Sequence, residues 1–543
     1  MTNMQVLNRE NGGSILGILR RALFFITAIS VVLEMIFFPS WDNFVGCIMM
    51  VTAHAAFVGV ALKKYRILTS PFLFVAMVSM FAYRYLPVPG TLISFRPVSY
   101  GMETPINTFV SETLFFLLFA VIYYVSAHGA TRRRGPVGFY KFIGLYHAGS
   151  EKSIWLLGII GLIVRIISYS TSGANNSSVT NTVVDMAYAP VILFFPFIFI
   201  ENPRKSVDFK KPVIWIYLVM LSIINLGSNS RFDIIAPFIM IVIFYFIYLV
   251  KEDIDLKRVL SPKRMFCGLA IILLILGIMQ IVSDAILAVR NSKDNYSISQ
   301  LVLLTAQNAV DSVGVKRAEV EKKKEVRSYS EGWEEEYIDN FALNRYGNIR
   351  ISDEIFYYSK NLSDGDRADL RESLRNHLVC LLPTPVMRFI GIDIDKSDYN
   401  YSPATYLYYK AGYCNYGYLF THRVITSYLP DGLSMFGGYY LIIQSLLFLI
   451  TFWLIRGLSY YDSTGKYVYS LFGILSMNTY HCIGVNANGM YGSCAYLLRN
   501  MWESILVFLI VNYLVRLWAR FQILKGPWYR ENAESYSDHS YKK

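Results

Sequence analysis

The sequence predicts an all-α polytopic membrane protein with about twelve transmembrane helices and one large outward-facing helical loop. Three observations lead to this prediction. Hydrophobic residues make up 54% of the 543 residues and charged residues only 17%, which is too apolar for a soluble chain of this length. Apolar segments recur along the chain, separated by short basic loops. One polar stretch of about 140 residues, from Arg290 to Pro430, interrupts this pattern.

The predicted spans are apolar segments close to the length of about 20 residues that crosses the hydrocarbon core. In chain order they are Ala22–Phe38, Phe44–Leu62, Pro71–Leu86, Thr108–Ser126, Ser153–Thr171, Val184–Ile200, Val213–Leu226, Phe232–Val250, Met265–Val289, Phe436–Gly457, Tyr467–Ile483 and Met501–Ala519. Residues 1–289 therefore hold helices 1–9, residues 290–430 form the large loop with short helices, residues 431–520 hold helices 10–12, and residues 521–543 form a tail.

Basic residues mark every second loop, and this placement predicts the orientation. Such clusters occur at Arg20/Arg21, Lys63–Arg66, Arg132–Arg134, Arg204–Lys211 and Lys251–Arg264, whereas the short loops between them carry almost no Lys. By the positive-inside rule, both termini are cytoplasmic and the long loop faces outward. The net charge of +12 is thus a topology signal, so membrane lipids are expected partners and nucleic acid is not.

The polar stretch has a helical organisation of its own. Helical spacing is seen in Ile298–Val313, Ser352–Lys360 and Asp364–Leu382. Ser363 or Asp364 is expected to cap the last of these helices, and Pro383 and Pro385 then break the pattern. An amphipathic, Tyr-rich stretch, Tyr406–Phe420, returns the chain towards the bilayer. The apolar content is too modest for a separate core, so we expect a helical cap over the spans.

Arginines are concentrated at the outward ends of the spans and in the loop. The set is Arg84, Arg96, Arg165, Arg231, Arg290, Arg345, Arg350, Arg388, Arg423 and Arg499. A guanidinium matches phosphate oxygens bidentately, so the set indicates an anionic ligand such as a diphosphate. The alternative is that each arginine pairs with a carboxylate or reaches the lipid headgroups. Arg231 favours ligand binding, because it starts a span directly after Gly227-Ser228-Asn229-Ser230, where the helix dipole attracts anions.

Motifs for nucleotide or metal chemistry are weak in this sequence. No GxxxxGK[ST] run is present, so ATP hydrolysis is not expected. The Asp-Ile-Asp triplets Asp253–Asp255 and Asp393–Asp395 have the pattern of a divalent-metal site, but a solvated turn explains them better. We therefore expect no metal. Cys380 with Cys414, or Cys482 with Cys494, are candidate disulfides, and free buried thiols are the alternative.

Two motifs resemble those of the O-antigen polymerases, the oligosaccharide repeat-unit polymerase family. The Gly-Ser-x-Ser-Arg turn that ends at Arg231 resembles a Ser-Arg turn of that family. A longer block is similar to the proline- and glycine-marked pattern of its large periplasmic loop; it comprises Leu381-Leu382-Pro383-Thr384-Pro385, Tyr401-Ser402-Pro403, Ala411-Gly412-Tyr413-Cys414-Asn415-Tyr416-Gly417-Tyr418 and Asp431-Gly432. The chain departs from the pattern at Tyr418-Leu419-Phe420, where a second Gly is usual.

The resemblance implies a GT-C-like glycosyltransferase of the bacterial inner membrane that acts in surface polysaccharide biosynthesis (O-antigen, capsule or exopolysaccharide). Such enzymes transfer a growing glycan from undecaprenyl diphosphate to an incoming lipid-linked repeat unit. The implied partners are the undecaprenyl-diphosphate-linked oligosaccharide and a co-polymerase that regulates chain length. No cofactor is implied, because the diphosphate bond of the substrate supplies the energy.

The implied reaction assigns roles to particular residues. Arg231 and Arg423 are expected to stabilise charge on the leaving diphosphate, and His422 is the preferred base. The alternative bases are Asp398, Glu354 and His377. The expected substrate-binding residues are Arg290, Arg345, Arg388, Arg499, Tyr413, Asn415 and Tyr416. The tyrosines would stack on sugar faces or anchor the chain at the interface.

Three other functions fit parts of the same pattern. An O-antigen ligase would share the carrier and the arginines and differ in its acceptor. Another GT-C glycosyltransferase would use a single lipid-linked sugar and an acidic residue in its first outward loop, where Asp42 is the only acid. A polysaccharide flippase would fit the number of spans but has no need of the large loop.

Overall fold

A computed structural model describes residues 14–86, 88–127, 136–147, 150–170, 178–196, 207–226, 231–254, 300, 307, 328–333, 337–338, 344, 346–422, 424–462, 466–485 and 488–524. Six helices in this part of the chain are long and apolar enough to cross a membrane: Ile15–Phe37, Trp41–Val60, Pro71–Ile93, Pro105–Ala127, Tyr439–Arg456 and Gly489–Ala519. The protein is therefore a mainly α-helical membrane protein, as its composition predicts. Twelve spans stay a prediction, and the ninth, Met265–Val289, lies outside the described residues.

The helices that precede the loop follow the predicted spans closely. They are α1 (Ile15–Phe37), α2 (Trp41–Val60), α3 (Lys64–Thr69), α4 (Pro71–Tyr85), α5 (Val88–Ile93), α6 (Pro105–Ala127), α7 (Val137–Phe142), α8 (Glu151–Ser170), α9 (Ser178–Asp185), α10 (Pro212–Leu226) and α11 (Arg231–Glu252). A 3₁₀ helix, Met186–Phe194, continues α9 and contains Pro190, which cannot donate a helical hydrogen bond. The described part of the sixth predicted span therefore begins as an α-helix and continues as a 3₁₀ helix.

The helices of the loop and of the C-terminal part are shorter and more varied. They are α12 (Asn348–Ser359), α13 (Asp364–Val379), α14 (Thr384–Phe389), α15 (Pro403–Lys410), α16 (Tyr418–Thr421), α17 (Tyr428–Phe436), α18 (Tyr439–Arg456), α19 (Leu471–Leu475), α20 (Met477–Val485), α21 (Gly489–Ala495) and α22 (Met501–Leu524). Short 3₁₀ helices occur at Tyr329–Glu331 and Lys396–Tyr399, and a π-helical segment, Tyr496–Asn500, joins α21 to α22.

The loop helices confirm the local signals in the sequence. Ser363 caps α13 through a capping box, since its Oγ accepts from the Asp366 N–H at 3.2 Å and the Asp366 carboxylate accepts from the Ser363 N–H at 3.1 Å. Pro383 follows the end of α13 and is the N-cap of α14. The Tyr-rich stretch Tyr406–Phe420 is not one helix, because the chain turns at Gly412 (φ +87°) between α15 and α16.

A β-hairpin replaces the start of one predicted span. Strands β1 (Ser459–Tyr461) and β2 (Tyr467–Tyr469) pair antiparallel, with Ser459 opposite Tyr469. The predicted span Tyr467–Ile483 is therefore wrong at its beginning, where a Tyr-Val-Tyr run, rich in aromatic and β-branched residues, favours a strand. The hairpin packs on the α3 region, since Ser459 Oγ donates to the Thr69 carbonyl at 2.8 Å.

The two ends of the helical bundle differ in character. The hairpin lies beside α3 and the basic residues around it, such as Lys64, which pairs with Asp253 at 3.5 Å. We call this the basic end. At the other end, α12 contacts the C-terminal part of α4 and the N-terminal part of α6. We call it the loop end, because the loop helices cover it.

Candidate functional site

A cavity of about 940 Å³ lies at the loop end, between membrane helices and loop segments. Its walls come from α9, from the segments Cys380–Leu381 and Lys396–Asn400, from α17 and α18, and from the chain between Phe472 and Ser504. Ligand pockets commonly measure about 300–1,000 Å³. The cavity is therefore large enough for several sugar rings or for a headgroup with its first sugars.

The lining of this cavity is rich in hydrogen-bonding groups. Four asparagines (Asn181, Asn400, Asn488 and Asn500) and five tyrosines (Tyr399, Tyr428, Tyr480, Tyr491 and Tyr496) contribute to it. Asparagine supplies both donors and acceptors, and tyrosine adds a hydroxyl to an apolar ring face. Such a surface suits a ligand with many hydroxyl groups and apolar ring faces, which is the chemistry of a carbohydrate.

Arg499 is the predicted substrate-binding residue that the structure places in the cavity wall. It lies in the π-helical segment, a kind of irregularity that is common at functional sites. Its Nε donates to Glu503 Oε1 at 2.8 Å, and its side chain is 38% exposed. The ion pair orients the guanidinium, and within the described part of the chain its terminal nitrogens make no further hydrogen bond, so they are available to an anion.

Lys396 brings a second positive charge to the cavity from the loop. It begins the 3₁₀ helix that Asp395 caps by accepting from the Ser397 N–H at 2.9 Å. Hydrogen bonds from the backbone N–H and the side chain of Ser397 lower the pKa of Asp395. The Lys396 ammonium donates to the Leu382 carbonyl, just after the cavity residue Leu381. This contact ties together two loop segments at the cavity rim.

Asp185, at the end of α9, is the carboxylate that lines the cavity among the described residues. Its neighbour Thr182 donates to Ser504 Oγ of α22 at 2.7 Å. This hydrogen bond joins α9 to α22 along one wall. A carboxylate in the wall of a cavity that holds a hydroxyl-bearing ligand is a candidate to accept a proton from it.

Asp431 supports the helix that forms another wall. It is buried in α17, and its Oδ2 accepts from the Met490 N–H at 3.4 Å, at the start of α21. Burial raises the pKa of Asp431 to about 7, against the lowering effect of that hydrogen bond. Gly489 has φ +54°, and a Cβ there would collide with the Asp431 carboxylate. The close approach and the backbone conformation both require glycine at this position.

A buried polar network fixes the loop to the membrane helices. Arg84 of α4 donates to Glu112 of α6 at 2.8 Å, and neither side chain is exposed. The other Glu112 oxygen accepts from Ser352 of α12 at 2.5 Å and from Ser427 at 3.1 Å. Arg84 also donates to the Gly484 carbonyl at 3.0 Å. The network joins two spans, the loop helix and the segment leading into α17, so the position of the loop is set by buried charge.

Asp353 of α12 caps a membrane helix. Its carboxylate accepts from the backbone N–H groups of Glu103 and Thr104 at 2.7 and 3.0 Å, and from the hydroxyl groups of Thr104 and Thr108 at 2.6 and 2.7 Å. These groups lie at the N-terminus of α6, where the helix dipole favours a negative charge. Sequence reasoning missed both Asp353 and Glu112. Glu112 lies inside a predicted span, where an acid is a recognisable signal of a buried partner, whereas Asp353 lies in the polar loop and carries no such signal.

Five other predicted site residues do not line the cavity. His422 is exposed and stacks on Tyr418, with ring centroids 4.0 Å apart. Tyr413 packs against Tyr358 with centroids 4.5 Å apart. Asn415 accepts from the Tyr418 N–H at 3.0 Å, within the turn before α16. Arg388 and Tyr416 are exposed on the loop surface. The structure therefore brings none of these five side chains together with Arg499.

The remaining predicted arginines are only partly described. Arg231 begins α11, as predicted, and its side chain is outside the described part. Arg290, Arg345 and Arg423 lie outside the described residues. Pairing with a carboxylate, the alternative that the sequence left open, is found for Arg84 and for Arg499.

The alternative bases and the cysteines also have defined surroundings. His377 is buried, with Nδ1 2.8 Å from the Ser373 carbonyl, and Glu354 accepts from the Tyr358 hydroxyl at 3.0 Å. Asp398 is exposed. Cys47, Cys380, Cys414 and Cys494 are free thiols, so neither of the two candidate disulfides is formed.

No protein-family model matches the chain, and no curated protein or solved structure matches it either. The fold and the cavity define a helical membrane protein with a polar pocket beneath a docked loop.

Proposed function

We propose that the chain is a polymerase of lipid-linked oligosaccharide repeat units, which transfers a glycan from undecaprenyl diphosphate to an incoming repeat unit. The observation that supports this function most is the 940 Å³ cavity with its asparagines, tyrosines and two basic groups. A carbohydrate substrate needs such hydroxyl-binding walls, and its diphosphate needs positive charge.

The orientation of the bundle supports the same proposal. Lys64, a described residue of the predicted cytoplasmic loops, lies at the basic end, and the positive-inside rule turns such an end towards the cytoplasm. With that orientation both termini are cytoplasmic, and the cavity opens on the outer side of the bacterial inner membrane. Lipid-linked repeat units would reach it from the outer leaflet.

In the proposed reaction, a hydroxyl oxygen of the incoming repeat unit attacks the anomeric carbon of the growing glycan. The bond from that carbon to the diphosphate oxygen breaks, and undecaprenyl diphosphate leaves with the electron pair. Arg499 and Lys396 stabilise the charge that develops on the leaving group, and Asp185 accepts the hydroxyl proton. Arg231 and Arg423 keep their proposed contribution to the diphosphate site.

Reconstitution of the full chain with a lipid-linked repeat unit tests this function. After incubation the products are separated on a gel. A ladder of increasing length is the expected result. Transfer of a single block to a lipid A core acceptor would show a ligase instead. Absence of any product, together with movement of the lipid-linked unit across the vesicle bilayer, would show a transporter.

A further inference from the structure

A second cavity, of about 580 Å³, lies at the loop end where α17 leads into the membrane helix α18. Its walls are formed by Arg367 and Arg371 of α13, by apolar or small residues of α17 and the turn after it, and by Tyr439. It shares no lining residue with the larger cavity. Any ligand of this cavity is therefore separate from the proposed polymerase substrate site.

The two arginines are held in place by backbone carbonyls. Arg367 donates to the Ser434 carbonyl at 2.8 Å and to the Ser359 carbonyl at 3.1 Å. Arg371 donates to the Met435 carbonyl at 2.7 Å. Each guanidinium carries five N–H groups, so most of its donors stay unused by the described residues. The carbonyls hold both guanidinium groups at the end of α17 without neutralising their charge.

Three of the four acidic residues of α13 have other partners, and the fourth, Asp364, is exposed in the first turn. Asp366 and Asp369 lie 4.0 and 2.5 Å from the Lys410 ammonium, and Glu372 accepts from Arg375 at 2.9 Å. Among the described residues, neither Arg367 nor Arg371 forms an ion pair. Two like charges one helical turn apart repel each other, and an anion bound between them removes that cost.

The position of this cavity indicates where the anion comes from. Gly437 (φ +55°) turns the chain from α17 into α18, and α18 is a candidate membrane span. Tyr439 lines the cavity and is 77% exposed, as is typical of an aromatic residue at a membrane interface. Large exposed apolar residues continue on the same face of α18: Ile442, Leu446, Ile450 and Trp453. A hydrocarbon chain lying along this face would have its polar end at the arginines.

We propose that Arg367 and Arg371 bind the phosphate of a membrane lipid, whose hydrocarbon chain lies along the face of α18 that begins at Tyr439. Two guanidinium groups fixed one turn apart provide bidentate donors to the phosphate oxygens. The apolar side chains Leu433, Phe436 and Tyr439 cover the glycerol or alkyl end of the headgroup. The site does not depend on the polymerase function, because it requires only a lipid phosphate.

Binding of phosphatidic acid to the full chain, purified in a detergent without phosphate, tests this site. We expect saturable binding of phosphatidic acid, and an affinity reduced about tenfold or more by the double substitution Arg367→Gln with Arg371→Gln. Arg375→Gln is the matched control, since Arg375 lies on the same helix and already pairs with Glu372. Its affinity should equal that of the native chain.

Two further arms distinguish a lipid phosphate from a free anion and from a neutral lipid. Diacylglycerol lacks the phosphate and should not bind, and inorganic phosphate should compete only weakly. Equal competition by inorganic phosphate would overturn the lipid as ligand. An unchanged affinity in the double variant would show that the arginines only cap α17. If that variant folds poorly, Arg371→Lys replaces it, because Lys keeps the positive charge but lacks the paired N–H donors of a guanidinium. Unchanged binding of phosphatidic acid by Arg371→Lys would equally overturn the proposal.

Discussion

Glu112 accepts a 2.8 Å hydrogen bond from Arg84 in a place where neither side chain reaches solvent. Its second oxygen accepts from Ser352 of the loop, so one carboxylate holds two membrane helices and the loop together. We expect Glu112→Gln to lower the free energy of unfolding by about 3–5 kcal/mol, because it leaves the Arg84 charge buried without a counter-charge. Unfolding of the purified protein in detergent measures this change.

The double substitution Arg84→Met with Glu112→Leu is the control for that experiment. Removing both charges avoids an unpaired buried ion, so it should be less destabilising than Glu112→Gln alone. If the double variant is instead the less stable of the two, the ion pair itself contributes more than its desolvation costs, contrary to our expectation.

Asp353 offers a test of how the loop is attached. Asp353→Ala removes the acceptor of four hydrogen bonds at the N-terminus of α6, and we expect a loss of about 2 kcal/mol or more. Hydrogen exchange should rise in α12 and in the first turn of α6. Asp398→Ala is the control, since Asp398 is exposed. Unchanged exchange at both elements would refute the capping role.

The buried Asp431 predicts a dependence of stability on pH. Because its folded-state pKa is about 7 and its ordinary value 3.8, the folded protein binds more protons than the unfolded chain between these values. The contribution of this group to stability is therefore full at low pH and falls as pH rises towards 7, by up to about 1.4 kcal/mol per pH unit.

Unfolding measured from pH 5 to pH 8 checks this expectation. Asp431→Asn should flatten the slope, because the amide does not titrate and still offers an acceptor to the Met490 N–H. Asp398→Asn should leave the slope as it is. A native slope in the Asp431→Asn variant would show that another group is responsible.

Arg499 and Arg388 form a matched pair for the proposed activity. Arg499 lines the large cavity, whereas Arg388 is exposed away from it. We expect Arg499→Lys to reduce the rate of ladder formation by about tenfold or more, since Lys cannot offer a bidentate fork to the diphosphate. Arg388→Lys should change the rate by less than about twofold. Equal effects of the two substitutions would remove Arg499 from the proposed site.

Arg231 is a second test of the diphosphate site. It begins α11, so its position at a helix N-terminus agrees with the role we propose for it. Arg231→Lys keeps the charge and loses the fork, and chain growth should fall in the same assay. The thermal midpoint of the variant is the control for folding. Full activity with Lys at this position would exclude a bidentate role.

Local features of the fold are predictable from the sequence because they depend on neighbouring residues. The cap at Ser363 and the break at Pro383 follow from hydrogen-bonding groups within three or four residues. The span that becomes α18 follows from a continuous apolar run. The start of the predicted span at Tyr467 is wrong because hydropathy does not separate an aromatic strand from a helix.

The candidate site is less predictable because it depends on contacts between distant parts of the chain. Ser352 and Glu112 are 240 positions apart, and no local pattern links them. His422 follows a recognisable turn in the sequence, yet its ring stacks on Tyr418 outside the cavity. The residue type and sequence position of Arg499 predict an anionic ligand. Its place in the cavity wall, by contrast, is seen only in the tertiary structure.

The cap that Asp353 provides to α6 has a consequence for how this molecule can be dissected. The N-terminus of a membrane-crossing helix is completed by a side chain that arrives some 250 positions later in the chain. Loop and bundle therefore belong to one cooperative folding unit. We expect a shortened chain lacking α12 to misassemble, so loss of the proposed activity in it would say nothing about the reaction. Informative truncations are those that spare α12 and remove only surface segments such as α14 or α16.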